Sequence, residues 1–130
     1  MSDPSTTIAV TTGTDQVALI NVFTVDPARQ DELVAALDEA TRAIFTEMPG
    51  FVSANLHTSL DGTRVVNYAQ WASEQLYHAA LQRADVREHM GKAAAIAESW
   101  DPTLTQVRST HHRYVLTTAG GGGRVGTATR

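Results

Sequence analysis

The stretch PGFVSANLHTSLDGTRVVNYAQWASEQ, residues 49–75, contains the signals that decide the fold. Pro49-Gly50 ends a helix, because neither residue continues one readily. Asp61-Gly62 lies between two runs rich in apolar residues and is typical of a hairpin turn, and Ser73 suits a helix N-cap. The stretch therefore predicts two antiparallel strands followed by a helix, over residues 51–59, 64–72 and 74–82.

Upstream of this stretch, the sequence predicts one strand and one long helix. Residues 17–25, VALINVFTV, are apolar at both alternating sets of positions, as in a strand buried on two faces. Asp26 suits the N-cap and Pro27 the first position of a helix that runs to about Glu47. Its apolar stripe at helical spacing consists of Leu33, Leu37, Ala40 and Ile44.

Downstream, the sequence predicts a third helix and a last strand. Asp85 and Glu88 have the spacing of a capping box, with Asp in the Ser/Thr position, before a helix that ends near Ser99. Asp101-Pro102 breaks that helix. The last strand is predicted from about Thr103 to Leu116.

The resulting element order is β-α-β-β-α-α-β. It predicts an α+β fold of the ferredoxin-like, split βαβ type, with a four-stranded antiparallel sheet and helices on one face. One layer of helices covers only one face of the first strand, and about 100 ordered residues cannot supply a second layer. We therefore expect the other face to pack against the sheet of a second copy, which makes the protein a homodimer.

Length and composition exclude several classes of protein. The 130 residues correspond to one domain, predicted over residues 16–116 between flexible tails at 1–15 and 117–130, although Ile8-Ala9-Val10 could add an edge strand. The absence of cysteine excludes disulfides, thiolate metal sites and cysteine nucleophiles. A net charge of −4 argues against nucleic acid as a partner. The sequence shows neither a membrane span nor a signal peptide, so a cytoplasmic location is expected.

Two asparagines interrupt otherwise apolar rows of the predicted strands, Asn21 in the first and Asn67 in the third. Buried amides need partners, so the two asparagines, with His57 and Trp71, are candidates for lining one pocket beneath the helices. A two-residue hairpin turn pairs His57 with Val66, whereas a three-residue bulged turn pairs it with Asn67. One residue of slip exchanges the faces, so the sequence leaves this choice open.

The stretch 49–51, Pro-Gly-Phe, together with 65–74, VVNYAQWASE, resembles the antibiotic biosynthesis monooxygenase family of the dimeric α+β barrel superfamily. The resemblance covers about residues 17–115. The run 67–71, with His57 before it and Tyr77 after it, is most similar to the quinone-forming monooxygenases of aromatic polyketide pathways, of the actinorhodin-pathway type. This resemblance implies sheets packed as a dimeric barrel.

The resemblance also implies a reaction and a set of site residues. A planar, phenolic, anthrone-type polyketide loses a proton, and its carbanion reacts with O2 to give a quinone and water, without cofactor or metal. The residues that match are the hydrogen-bonding pair Asn67 and Trp71, the pocket residues His57 and Tyr77 as further catalytic candidates, and the substrate-binding candidates Asn21 and Arg87. Asn55, which shares a strand face with His57 by alternation, is a further substrate-binding candidate. His57 or Tyr77 is expected to handle the proton. The long polar C-terminal tail departs from the family.

Two other functions remain open at this stage. Haem-degrading relatives of the same fold share a first-strand asparagine, matched by Asn21, and a histidine near the place of His89, but they need a tryptophan where this chain has Ala80 or Leu81. The other function is a non-catalytic dimer that binds small molecules or serves as a pathway accessory protein. The spacing of the histidines does not predict a metal site.

Overall fold

The computed structural model describes residues 5–113. Its sheet has four antiparallel strands in the order β2-β3-β1-β4, namely β1 (Val17–Thr24), β2 (Phe51–Thr58), β3 (Arg64–Trp71) and β4 (Ser99–Thr105). The helices are α1 (Gln30–Ala43), α2 (Glu74–Leu81) and α3 (Ala84–Ile96), with short 3-10 turns at Pro27–Arg29 and Phe45–Glu47. This is the predicted ferredoxin-like α+β fold.

Within the described residues, the helices pack on one face of the sheet. Leu33 and Leu37 of α1 share a buried cluster with Phe23 and Val65. A second cluster joins α2 and α3 to the other end of the same face, through Tyr77, Ala80, Val86, Leu19, Ala69 and Trp71. Since cross-strand partners point to the same side, the pairs Val17–Trp71, Leu19–Ala69, Asn21–Asn67 and Phe23–Val65 all lie beneath the helices.

Of the three predicted caps, Ser73 is confirmed, because its hydroxyl accepts a hydrogen bond from the Leu76 N–H at 3.2 Å at the start of α2. Asp26 caps the 3-10 turn that leads into α1 rather than α1 itself, since its carboxylate accepts a hydrogen bond from the Ala28 N–H at 2.9 Å and Arg29 is the N-cap of α1. The capping box at Asp85 is wrong, because α3 begins at Ala84 and Arg83 occupies its N-cap position without a side-chain cap. Asp85 instead lies in the first turn, paired with Arg83 at 2.9 Å.

The last strand was also misplaced by the sequence. β4 spans Ser99–Thr105 rather than 103–116; residues 106–113 form no strand, and 114–116 lie outside the described residues. β4 pairs only with Ala18–Thr24 of β1, so it ends where its partner does. Pro102 is tolerated inside β4 because this strand lies at the sheet edge, where a missing N–H breaks no ladder.

The β2–β3 register answers the question that the sequence left open. His57 pairs with Val66 and Leu56 with Asn67, as the shorter turn would give. A bulge at Val52 then breaks the alternation, so that Phe51 pairs with Trp71 whereas Ser53 pairs with Gln70. Strict alternation along β2 would place Phe51 and His57 on one face of the sheet, and the bulge separates them. Phe51 lies beneath the helices, whereas His57 lies on the opposite side of the sheet.

We call this opposite side the far face. It carries apolar side chains on the central strands, Ile20, Val22, Val66 and Tyr68. At one corner the buried Gln70 donates a hydrogen bond from Nε2 to the Ala9 carbonyl at 2.8 Å and accepts one at Oε1 from the Ser53 hydroxyl at 2.7 Å. Residues 5–16 form neither helix nor strand, and Gln70 connects them to the sheet.

The predicted C-terminal tail, 117–130, lies outside the described residues, as do residues 1–4. Across residues 5–113, none of the helices has the length and apolar character needed to cross a membrane.

Candidate active site

A cavity of about 240 Å³ lies between the helix-covered face of the sheet and the helices. The sheet forms its floor, and α1, α2 and α3 form its walls. Most of its lining is apolar or aromatic. The polar exceptions are few: Asn21, Asn67, Thr41, Tyr77 and His89, with the indole groups of Trp71 and Trp100. Enclosed apolar pockets with a few converging polar groups are typical of sites for small organic ligands.

The floor of the cavity carries the two asparagines as a directly opposed pair. Asn21 of β1 and Asn67 of β3 are cross-strand partners, and Asn21 is only 4% exposed. Both Oδ1 atoms are buried and have no hydrogen-bond partner among residues 5–113. The neighbouring strands place no polar side chain beside the two asparagines, because Pro102 lies opposite Asn21 and Leu56 lies opposite Asn67.

Such an arrangement costs stability. A buried polar atom without a partner costs about 1–3 kcal/mol, and native proteins contain few of them. Two adjacent ones on the floor of a cavity indicate groups that are kept for a ligand. The amides can offer it both N–H donors and C=O acceptors.

Trp71 forms the centre of the aromatic wall. Its ring lies edge-on to Phe45, Phe51 and Tyr77, with centroid separations of 6.1, 5.6 and 5.8 Å. It is 3% exposed and belongs to the core cluster. Trp71 therefore supports the fold as well as lining the cavity, and the bulge at Val52 is what brings Phe51 to it.

Tyr77 projects from α2 into the same cavity. Burial raises the pKa of its phenol above the usual value near 10. The hydroxyl therefore keeps its proton at neutral pH, and Tyr77 is a hydrogen-bond donor there rather than a base.

His89 of α3 lines the cavity, although the sequence analysis named it only as a candidate for the haem-degrading alternative. It is half-buried, and Val86 and Ala93, three residues before and four after it, are both buried. This spacing places His89 on the buried side of α3, and it is the feature of the sequence from which His89 could have been predicted as a cavity residue. Trp100 of β4 also lines the cavity and is 47% exposed.

Three predicted site residues do not line the cavity. His57 and Asn55 lie on the far face, where His57 is exposed and the Asn55 amide donates to the Tyr68 carbonyl at 3.1 Å. Arg87 is exposed and donates to the Leu81 carbonyl at 3.3 Å and to the Gln82 Oε1 atom at 3.2 Å. The β2–β3 register explains the first two, since Asn55 pairs with Tyr68 and His57 with Val66. Arg87 lies on the outer side of α3.

No cluster of three or more histidine or carboxylate side chains that could hold a metal ion occurs in residues 5–113. Asn21, Asn67, Trp71 and Tyr77 line one cavity together, and His89 lines it as well.

The chain is of the ferredoxin-like α+β class, with an aromatic cavity between sheet and helices that is floored by paired amides. Within that class, this chain belongs to the antibiotic biosynthesis monooxygenase family, whose sequence model matches residues 16–92.

Several relatives have known activities or ligands. The chain is 47% identical over 83 residues to the tetracenomycin-F1 monooxygenase of Streptomyces glaucescens, covering 64% of this chain and 74% of that protein. A monooxygenase from the gene ActVA-Orf6 of Streptomyces coelicolor, solved with the ligand nanaomycin D, is 36% identical with a TM-score of 0.61, covering 75% of this chain and 90% of the other. SnoaB of Streptomyces nogalater, a cofactor-independent oxygenase, is 28% identical with a TM-score of 0.63, covering 75% and 97%.

Proposed function

We propose that the protein is a cofactor-independent monooxygenase that oxidises a phenolic, anthrone-type aromatic polyketide to a quinone with O2. The observation that carries this proposal is the opposed pair Asn21 and Asn67, whose buried Oδ1 atoms lack hydrogen-bond partners among the described residues on the floor of an aromatic cavity. The same side chains carry Nδ2 groups, which can donate hydrogen bonds to a phenolate oxygen.

The chemistry needs little from the protein. An anthrone loses a proton from its CH2 carbon, and the resulting carbanion, conjugated with the phenolate rings, gives an electron to O2. A carbon–oxygen bond forms, the peroxide O–O bond breaks, and the CH2 group plus O2 becomes C=O plus H2O. Donors preorganised around the developing oxyanion lower the barrier, and the substrate itself supplies the electrons that a flavin would otherwise provide.

Each cavity residue then has a role. The Asn21 and Asn67 amides hold the ionised oxygen. Trp71 presents an aromatic wall against which flat rings pack, and Tyr77, whose pKa burial raises, donates a hydrogen bond. These are the groups that distinguish the cavity from an ordinary apolar core.

The named relatives support this substrate class and the lack of a cofactor. One acts on tetracenomycin F1, one binds nanaomycin D, and one is described as cofactor-independent. All three come from Streptomyces.

We also propose that the protein is a homodimer joined through the far face. The described helices cover only the other face of the sheet, and Ile20, 38% exposed, lies between its partners Tyr68 and Thr103 on an open apolar strip. A second copy of the same sheet would cover this strip symmetrically.

The test of the activity is oxygen uptake and quinone absorbance with dithranol, a 1,8-dihydroxyanthrone, after EDTA treatment and without flavin or haem. We expect uptake well above the protein-free control. Asn67→Ala should lower kcat by about 100-fold, the usual cost of removing one oxyanion donor. Gln75→Ala, on the exposed surface of α2, is the matched control and should behave as the wild type. Equal rates for Asn67→Ala and the wild type would refute the proposed site.

One observation keeps the haem alternative testable. His89 and Asn21 lie in the same cavity, but α2, EQLYHAAL, contains no tryptophan. A Soret band on haem titration, lost in His89→Gln, would favour haem degradation over quinone formation.

A further inference from the structure

We propose that His89 is the group that takes the proton from the bound substrate. This inference rests on the proposed function and adds to it the one component that the asparagine floor cannot supply. Amides and an indole can hold an anion, but they cannot generate one at neutral pH.

The composition of the cavity leads to His89. Of the described residues that line it, only Tyr77 and His89 carry a titratable group. Burial raises the pKa of Tyr77, so its phenol is already protonated and cannot accept a proton. Histidine side chains ordinarily titrate near pH 6.5 and suit proton transfer at neutral pH. Since His57 lies on the far face, His89 is the only imidazole among residues 5–113 that lines the cavity.

The fold places acceptor and donors on different walls. His89 comes from α3 in the helical layer, whereas Asn21 and Asn67 come from the sheet beneath it. A planar ligand held between the two layers would meet the imidazole on one side and the amide N–H groups on the other. Proton removal and stabilisation of the anion would then occur in one enclosed space.

The elements around His89 add no charge to the cavity. α1 contributes Leu37, Ala40 and Thr41, and the sheet contributes no titratable side chain. The charged groups of α3 nearest in sequence, Asp85, Arg87, Glu88 and Lys92, are not part of the lining. On the outer surfaces Glu74 pairs with His78 and Asp38 with Arg42, at 3.3 and 3.1 Å. Among the described residues, no carboxylate lines the cavity beside the imidazole.

The proton balance is complete. A ring nitrogen of His89 takes one proton from the CH2 carbon as the carbanion forms. The imidazolium returns that proton to the peroxide formed with O2. The peroxide then collapses to the ketone: the imidazole takes the remaining C–H proton while the C=O bond forms and the O–O bond breaks. The departing hydroxide takes this proton from the imidazolium and becomes water.

The test compares His89→Gln and Tyr77→Phe with the wild type, using dithranol and measuring oxygen uptake across the pH range. We expect His89→Gln to lower kcat about 100-fold or more and to lose the acidic limb of the pH profile. Tyr77→Phe should keep that limb. In His89→Ala, added imidazole should restore the rate in proportion to its concentration, which a purely structural loss would not allow. A rate for His89→Gln within about twofold of the wild type would overturn the inference while leaving the proposed function intact.

A second readout does not depend on turnover. The visible spectrum of bound 1,8-dihydroxyanthraquinone reports whether its phenol is ionised. This dye has no CH2 proton, so its phenol tests whether His89 accepts a proton from a ligand in the cavity. The wild type should bind the anion near neutral pH, whereas His89→Gln should bind the neutral form. Suppose that the wild type consumes no oxygen but ionises the dye, whereas His89→Gln does not. The oxygenase proposal then fails, and the assignment of His89 as the proton acceptor is supported. If His89→Gln ionises the dye as well as the wild type does, the inference is overturned.

Discussion

At the scale of single residues, the two asparagines on the cavity floor serve the proposed function and lower the stability of the fold. Replacing Asn21 with leucine removes a buried, unpartnered oxygen, so we expect the free energy of unfolding to rise by about 1–3 kcal/mol. Oxygen uptake with dithranol should fall at the same time. Urea denaturation and the dithranol assay measure the two effects separately.

Gln70→Leu is the matched control for this prediction. Gln70 is also a buried amide, but both of its polar ends are hydrogen-bonded, to Ser53 and to Ala9. Its replacement should lower the free energy of unfolding, because it leaves those partners unsatisfied. A loss of stability in Asn21→Leu as large as that in Gln70→Leu would contradict the view that Asn21 is unsatisfied.

Tyr77 predicts a pH dependence of stability. Its folded-state pKa is raised by burial, whereas in the unfolded chain a tyrosine titrates near about 10. Its contribution is therefore fully present below about pH 10 and is lost as the pH rises through the folded value. Urea unfolding at about pH 8 and about pH 11 should show a larger alkaline loss for the wild type than for Tyr77→Phe. Identical losses would show that Tyr77 is not buried in solution.

The sequence could predict those site residues that are marked by their immediate neighbours along the chain. Asn21 and Asn67 stand out because each interrupts an apolar row at strand spacing. His57 was placed in the pocket by the family resemblance, but the hairpin register, which the sequence left open, pairs it with Val66 on the far face. Neither this register nor the bulge at Val52 is marked by a local feature of the sequence, since both arise from how β2 pairs with β3.

At the scale of elements, Gly50 determines how the turn before β2 packs against α2. Its φ is +86°, and an added Cβ would lie 2.5 Å from the Cβ of Leu76, an atom that cannot rotate away. Its carbonyl also accepts the Ala72 N–H at 2.7 Å. We expect Gly50→Ala to cost about 2–4 kcal/mol in the free energy of unfolding, from backbone strain and overpacking.

Gly91 provides the matched control. It lies inside α3, where an added Cβ meets nothing within 4 Å. Gly91→Ala should raise the free energy of unfolding by about 0.5–1 kcal/mol. Thermal melts of the two variants should therefore move in opposite directions, and a drop for both would point to crowding around α3 that the structure does not show.

The β2–β3 loop predicts a loss of stability in acid. Hydrogen bonds from the Thr63 backbone N–H and hydroxyl and from the Ser59 hydroxyl lower the pKa of Asp61 from 3.8 to about 2. Its stabilising effect is present above about pH 4 and is lost as the pH falls towards about 2. Denaturation of the wild type and Asp61→Asn over that range should show a flatter profile for the variant. Parallel profiles would mean that the loop carboxylate is free.

Element positions were predictable where end signals were unambiguous. Asp26-Pro27, Pro49-Gly50 and Ser73 bounded their helices within a few residues. β4 was misplaced because Pro102 is normally a reason to exclude a strand, and only its position at the sheet edge makes it acceptable. Edge position is a property of the assembled sheet and is absent from the local sequence.

At the scale of the whole molecule, the far face predicts the oligomeric state. Ile20→Glu would place a charge in the middle of the proposed interface, so light scattering should show a mass near 14.0 kDa instead of twice that value. Leu60→Glu is the matched control, since Leu60 is fully exposed in the β2–β3 loop. A mass for the wild type already equal to one chain would contradict the dimer.

The hydrogen bond between Gln70 and Ala9 has a practical consequence for anyone who shortens or tags this protein. The leading segment looks dispensable because it has no regular structure, yet its carbonyl satisfies an amide that is only 2% exposed. A shallow depression lined by Thr6, Ile8, Val52 and Ser53 shows that the segment also covers a corner of the far face. Trimming the first ten residues would therefore strip a buried donor of its acceptor and uncover part of the surface that a second copy would use.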